Sequence, residues 1–185
     1  MRFNYIKKMN RKLSMLELNR LTPEEYKAQS KTPIILVLDN IRSALNVGSA
    51  FRTADSFALA GIYLCGISAT PPHREILKTA IGATESVDWQ YFDTTTEAVQ
   101  QLKKDDFKVF AIEQVTKKTW LQDVKVKSDE KYALVFGNEV KGVSNEVLTL
   151  VDDCIEIPQF GTKHSLNISV SAGIVIWEFF RQFQY

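Results

Sequence analysis

Residues 34–67 read IILVLDNIRSALNVGSAFRTADSFALAGIYLCGI, and the reading of this stretch decides the fold. It opens on an unbroken apolar run, Ile34 to Leu38, which implies a strand buried on both faces. A helical period follows, with Val47, Ala50, Phe51, Ala54 and Ala58 on one side, and a second apolar run, Ile62 to Ile67, closes the unit. Strand, helix and strand with short connections form the βαβ repeat of a mostly parallel sheet. Working outward, strands are predicted at Val87 to Phe92, Lys108 to Glu113, Tyr132 to Phe136 and Cys154 to Pro158. Helices are predicted between them, at Arg74 to Ala80, Thr95 to Lys104 and Ser144 to Leu150. The expectation is an α/β protein, its parallel sheet covered by helices on both faces, with ligands held beyond the carboxyl ends of the strands.

The 185 residues, 45% hydrophobic and 24% charged, fit one globular domain. A net charge of +1 says little of partners, but Arg2, Lys7, Lys8, Arg11 and Lys12 precede the first acid, Glu17, and form an arm that suits a phosphate backbone. Residues 1–30 are predicted to be a helical extension before a domain at 31–185. Leu13, Leu16 and Leu21 are spaced for one face, and Thr22-Pro23-Glu24-Glu25 supplies an N-cap, an N1 proline and a capping-box acid. Residues 114–131, with Lys117, Lys118, Lys125 and Lys127, read as a long solvated connection. Cys65 and Cys154 sit in apolar stretches, without metal-ligand or disulfide spacing, and imply buried thiols in a reducing compartment. There is no membrane-length apolar run and no secretory signal pattern, so the expected location is the cytoplasm, with neither membrane nor metal as partner.

Three segments place polar residues just past predicted strand ends. In the first, Asp39 to Asp55, Asn46 is a candidate N-cap, Gly48 allows another backbone close, and Arg52 lies within two turns. The second, Phe136-Gly137-Asn138-Glu139-Val140-Lys141-Gly142-Val143, sets an acid and two glycines after an apolar strand. Those glycines suit either a cofactor's close approach or a tight turn, and the dinucleotide fingerprint is absent. In the third, Ile157-Pro158 leads through a polar loop to Ser165-Leu166-Asn167-Ile168-Ser169-Val170, where Ser165 and Asn167 are candidate caps.

In this order, the segments resemble the three motifs of the SpoU class of the SPOUT methyltransferase superfamily, over nearly all of residues 33–180. The resemblance implies a Rossmann-like half followed by a C-terminal trefoil knot, a topology that composition cannot reveal. It also implies a homodimer whose two sites share residues. S-adenosylmethionine is the implied cofactor, held largely by backbone groups at Gly137, Ile157 and Leu166, with Glu113 at an earlier strand end. Gln159 departs from the family's usual methionine at that point, and no role carries over to it.

The implied reaction is methyl transfer to the 2′-hydroxyl of an RNA ribose, with Arg52 central and Asn46, Glu139, Ser165 and Asn167 completing the site. A guanidinium holds its proton under ordinary conditions. Arg52 is therefore expected to bind phosphate and offset developing oxyanion charge rather than act as a base. Transfer RNA is the favoured substrate over ribosomal RNA, and the basic arm and the four lysines are the candidate contacts. Two other classes compete. One is an RNA-binding protein of the same fold without catalysis, against which the intact polar set counts; the other is a nucleotide oxidoreductase, against which the missing glycine fingerprint counts.

Overall fold

The structure is a computed structural model that describes residues 10–14 and 17–184. Arg2, Lys7, Lys8 and Leu16 of the expected basic, helical arm lie outside the described residues. Residues 10–14 and 17–22 hold a turn and no helix, which corrects the helical reading of this part. Leu13 and Leu21 are 57% and 50% exposed, so the three-leucine spacing finds no surface to bury against. The helix begins only at α1, Pro23–Ala28, where the expected capping box forms: Glu25 N donates to Thr22 Oγ1 and Thr22 N to the Glu25 carboxylate.

From there the expected strands and helices follow, with a short helix at Ala83–Ser86 and an edge strand at Thr119–Trp120 added, and with the second strand at Leu59–Cys65 instead of Ile62 to Ile67, since Ile67 is exposed. The order is β1 Thr32–Asp39, α2 Ala44–Ser56, β2 Leu59–Cys65, α3 Arg74–Ala80, α4 Ala83–Ser86, β3 Trp89–Phe92, α5 Thr95–Lys104 and β4 Phe107–Ile112. It continues with β5 Thr119–Trp120, β6 Lys131–Phe136, α6 Asn145–Leu148, β7 Asp153–Glu156 and α7 Ile168–Gln184. The seven strands make one sheet in the order β3-β2-β1-β6-β4-β7-β5, with every ladder parallel.

Side chains of the central strands alternate between two cores. Ile34, Leu36 and Leu38 of β1, with Tyr132, Leu134 and Phe136 of β6, pack beneath α2, α3 and α7. Ile35, Val37, Ala133 and Val135 face α5 and α6. This two-residue period, with both faces covered, explains the unbroken apolar runs. Gly48 earns its place on α2: a Cβ there would overlap the Ile76 carbonyl and the Thr79 hydroxyl, so α2 and α3 meet only because the residue is glycine.

Residues 114–131 correct the reading of a solvated connection. β5 adds an edge to the sheet, a short 3₁₀ turn follows at Leu121–Asp123, and Leu121 and Val124 are buried. Val126 N donates to Gln182 Oε1 and Gln182 Nε2 to Val124 O, which ties the segment to α7. Its few apolar residues, Leu121, Val124 and Val126, join the core that α7 also builds.

β7 lies between β4 and β5, so the chain leaving Glu156 exits beside the loop that connects those strands. There Gln114 Nε2 donates to His164 O, 2.8 Å away. This crossing of two loops is consistent with the expected knot. Both cysteines are free. Burial pushes the Cys65 thiol up to about 12 and also raises that of Cys154. Among the described residues, no helix is long and apolar enough to cross a membrane, and no cluster of acids, cysteines and histidines is placed to hold a metal.

Candidate active site

The carboxyl ends of β1, β6, β4 and β7 open on one side of the sheet, and the three polar segments meet there. The expectation that Asn46 caps α2 is corrected: Ser43 is the N-cap and its hydroxyl accepts from Asn46 N. Both are good cap residues, and the earlier one extends the helix by a turn. Asn46 is thereby released to project its amide outward. Its Nδ2 donates to Glu139 Oε1 at 3.1 Å, and its Oδ1 accepts from Asn167 Nδ2 at 3.3 Å. Residues separated by as many as 121 positions thus form one chain of hydrogen bonds.

Glu139 is held from several sides. Oε2 accepts from Arg42 N at 2.9 Å and Oε1 from Ser43 N at 3.1 Å, besides the Asn46 amide. Partial burial pushes its carboxyl up, but the hydrogen bonds from Arg42 N, its own N–H, Asn46 and Ser43 outweigh this and hold it below the usual carboxylate range. A carboxylate so occupied is a poor proton acceptor and a good anchor.

Next to this network is a cavity of about 520 Å³, whose lining includes Gly137, Glu139, Ile157, Ser165, Leu166 and Asn167, with Glu113 and Gln159 also on its wall. Phe136, Ile155, Ile157 and Leu166 give it apolar surface, while the loops supply backbone donors and acceptors. The two readings left open for the glycines of the second segment resolve toward the turn. A Cβ on Gly137 would overlap the backbone of Gly142 and Val143, so the loop folds back onto its own beginning. Gly142 takes a φ of +69° and packs under the Glu113 carboxylate. Glu113 is spent on backbone, accepting from Val143 N and Gln114 N, each at 2.8 Å.

Asn167 is a cap, as expected: its Oδ1 accepts from Ser169 N as α7 begins. Ser165 lines the cavity. Arg52 is not brought in. It stands on α2 six residues beyond Asn46, about 9 Å along the axis, and it is exposed and absent from the cavity wall. Lys118 is half-buried, 2.8 Å from Glu156 and over the Trp120 ring. Lys127 pairs with Glu130 at the surface. His73 is the N-cap of α3, its Nδ1 accepting from Glu75 N.

The sequence reading missed residues whose importance depends on what they join. Asn138 donates from Nδ2 to Asn40 O and accepts at Oδ1 from Val140 N and Lys141 N, shaping the second loop. Asp39, buried at the end of β1, and Gln114 were likewise unmarked, although an acid immediately after an apolar strand was a visible sign.

A parallel α/β sheet with a cavity walled by loops beyond the carboxyl ends of β4, β6 and β7 is the arrangement in which open α/β proteins hold ligands. The SpoU rRNA Methylase family model matches residues 33–177, and the chain belongs to that family. Over 164 residues it is 32% identical to an uncharacterized tRNA/rRNA methyltransferase from Synechocystis, covering 86% of this chain and 41% of that protein. It is 29% identical over 167 residues to the 23S rRNA (guanosine-2′-O-)-methyltransferase RlmB of Vibrio parahaemolyticus, covering 90% of this chain and 66% of that one. The chain therefore spans less than two thirds of these curated relatives. Among solved structures, the A. aeolicus TrmH/SpoU tRNA modifying enzyme superposes with a TM-score of 0.75 at 26% identity, over 88% of this chain and 80% of that one.

Proposed function

We propose that this protein transfers a methyl group from S-adenosylmethionine to a ribose 2′-hydroxyl of RNA, with transfer RNA the favoured substrate. The carrying observation is the convergence of Asn46, Glu139 and Asn167 at the edge of a cavity walled by Gly137, Ile157 and Leu166. A volume of about 520 Å³ falls within the usual range for a cofactor of this size, and the mix of apolar walls and loop backbone groups suits adenosine. When bound, S-adenosylmethionine would supply a methyl group on a sulfonium and leave as the neutral thioether, while the ribose hydroxyl proton would pass to a phosphate oxygen of the RNA or to water. RlmB's own name specifies a 2′-O target, which supports the ribose as acceptor.

The chain's part is placement. Glu139 fixes the start of α2, Asn46 and Asn167 offer amide groups at the acceptor side, and Gly137 keeps the second loop tight. Arg52 supplies fixed positive charge for a phosphate and for the developing oxyanion. It does so for a partner protomer. Val170, Ile174 and Trp177 form an exposed apolar stripe on α7, opposite the buried Ala172, Val175, Ile176 and Phe179. A two-fold contact over this stripe offers the route by which Arg52 reaches the other copy's acceptor side.

The test is methylation of tRNA and rRNA transcripts with mapping of 2′-O-methyl sites, using wild type, Arg52→Ala, Glu139→Gln and a mixture of the two variants. Each variant alone is expected to lose activity, by about 10²-fold or more for Arg52→Ala. Random mixing restores about a quarter of wild-type activity if sites are shared across a dimer. A mixture as inactive as its components places Arg52 in its own protomer's site. Cofactor binding without transfer to any RNA favours the non-catalytic RNA-binding reading.

A further inference from the structure

Asp39 is the one buried acid among the described residues, 1% exposed. Its Oδ1 accepts from the Thr95 hydroxyl at 2.5 Å and from Asn40 Nδ2 at 2.8 Å, and its Oδ2 accepts from Ser144 N at 3.2 Å. These donors belong to three separate parts of the molecule: the first residue of α5, the loop between β1 and α2, and the residue just past the second loop. No lysine or arginine forms an ion pair with it among the described residues, so it is held entirely by neutral donors.

The wiring continues from each donor. Asn40 Oδ1 accepts from Ile67 N, and Asn40 O accepts from Asn138 Nδ2 at 2.7 Å. Asn138 in turn closes the turn with Gly142 through a mutual backbone pair. The second loop is therefore anchored at its entry through Asn40 and at its exit through Ser144, and both anchors end on the Asp39 carboxylate. Between them lies Glu139, which the start of α2 reads through Arg42 N and Ser43 N.

We propose that Asp39 is a positioning residue for the methyl-transfer site, setting the second loop so that Glu139 meets α2 and the cavity keeps its wall. This rests on the reading given under Proposed function, and it adds a residue that touches neither cofactor nor substrate. An acceptor-only group is required there, because every contact it makes is with a donor. Asparagine in its place turns an NH₂ toward one of those donors and leaves it unpaired.

The decisive comparison is Asp39→Asn against Leu102→Ala, a truncation on α5 that removes apolar packing from the core but none of the hydrogen bonds that run from Asp39 to the loop. Two readouts are taken well below both melting temperatures: the calorimetric Kd for S-adenosylmethionine, and hydrogen exchange at the amides of Arg42 and Ser43, which Asp39 does not touch. Asp39→Asn is expected to weaken cofactor binding and speed exchange at those two amides, each by about tenfold, while Leu102→Ala shifts both by less than about twofold despite lowering Tm. If Asp39→Asn behaves as Leu102→Ala does, the residue is merely structural and the proposal falls. If the wild type binds no S-adenosylmethionine, the cofactor reading fails on its own, and the exchange rates alone decide the positioning claim.

Discussion

Two of the loops that wall the cavity, 137–144 and the one after Pro158, are built on opposite plans. The loop 137–144 is wired at nearly every residue: Gly137 folds under Gly142, Asn138 pairs with Asn40, Glu139 holds α2, Val143 N reaches Glu113 and Ser144 N reaches Asp39. The loop after Pro158 is exposed from Phe160 through Asn167, and its side-chain ties to the rest of the described chain are Gln114 to His164 O and Asn167 to Asn46. The first wall is preformed, so binding does not have to order it; the second has its shape set mostly by what it will meet. One fixed wall and one adaptable wall are a reasonable division for a site that must seat a small cofactor and a large, variable nucleic acid.

The sharpest way to break the contrast is Gly137→Ala. The added methyl has no space, because its neighbours are the backbone of Gly142 and Val143 rather than a side chain that can swing away. Overpacking of this kind costs about 3 kcal/mol at the upper end, which for a chain of this size lowers Tm by about 6–12 °C. Cofactor affinity should fall with it. Calorimetric melting and binding titration check both, and a variant that melts with the wild type would show that the first loop is as compliant as the second.

A smaller effect is expected from acid. Because Glu139 is held below the ordinary carboxylate range, its folded form loses the proton more readily than the unfolded chain does. The sign follows: its contribution to stability is present above the unfolded value of about 4.3 and is lost as pH falls through the lower folded value. The Tm gap between wild type and Glu139→Gln should therefore be level from neutral pH down to about 5 and close at more acid pH. A gap that does not narrow at all below the unfolded value of about 4.3 would mean that the hydrogen bonds of Arg42, Ser43 and Asn46 do not discriminate the charged carboxylate.

The sequence disclosed the contrast unevenly. The layers were legible because each central strand is apolar throughout, and the three segments were legible because strand ends followed by Asn, Gly and acid residues are rare in a core. The start of α2 was misplaced by three residues, since Ser43 and Asn46 have the same capping chemistry and only the packed helix chooses between them. β5 escaped because two residues carry no period, and the leucines before α1 misled because spacing alone cannot supply a surface to bury against. Asn138 and Gln114 were invisible for a different reason, and Asp39 showed only as an acid after an apolar strand: each acts by joining segments distant in sequence. The position of Arg52 outside its own cavity is likewise a fact of three dimensions.

The smallest effects are expected in the second loop, and they sharpen the comparison most directly. Gln114→Ala removes the donor to His164 O, but both groups are exposed and water replaces the bond, so the loss should not exceed about 1 kcal/mol. Phe160 is 98% exposed, and its truncation to alanine should leave Tm within about 0.5 kcal/mol of equivalent stability. Chemical denaturation of the two variants beside wild type orders them: Gln114→Ala slightly destabilised, Phe160→Ala unchanged. If Phe160→Ala instead costs more than Gln114→Ala, the ring is covered in solution by a second copy, and repeating the measurement at falling protein concentration would make the difference disappear as that copy dissociates. In that event the second wall, too, would be preformed, by the assembly rather than by the chain.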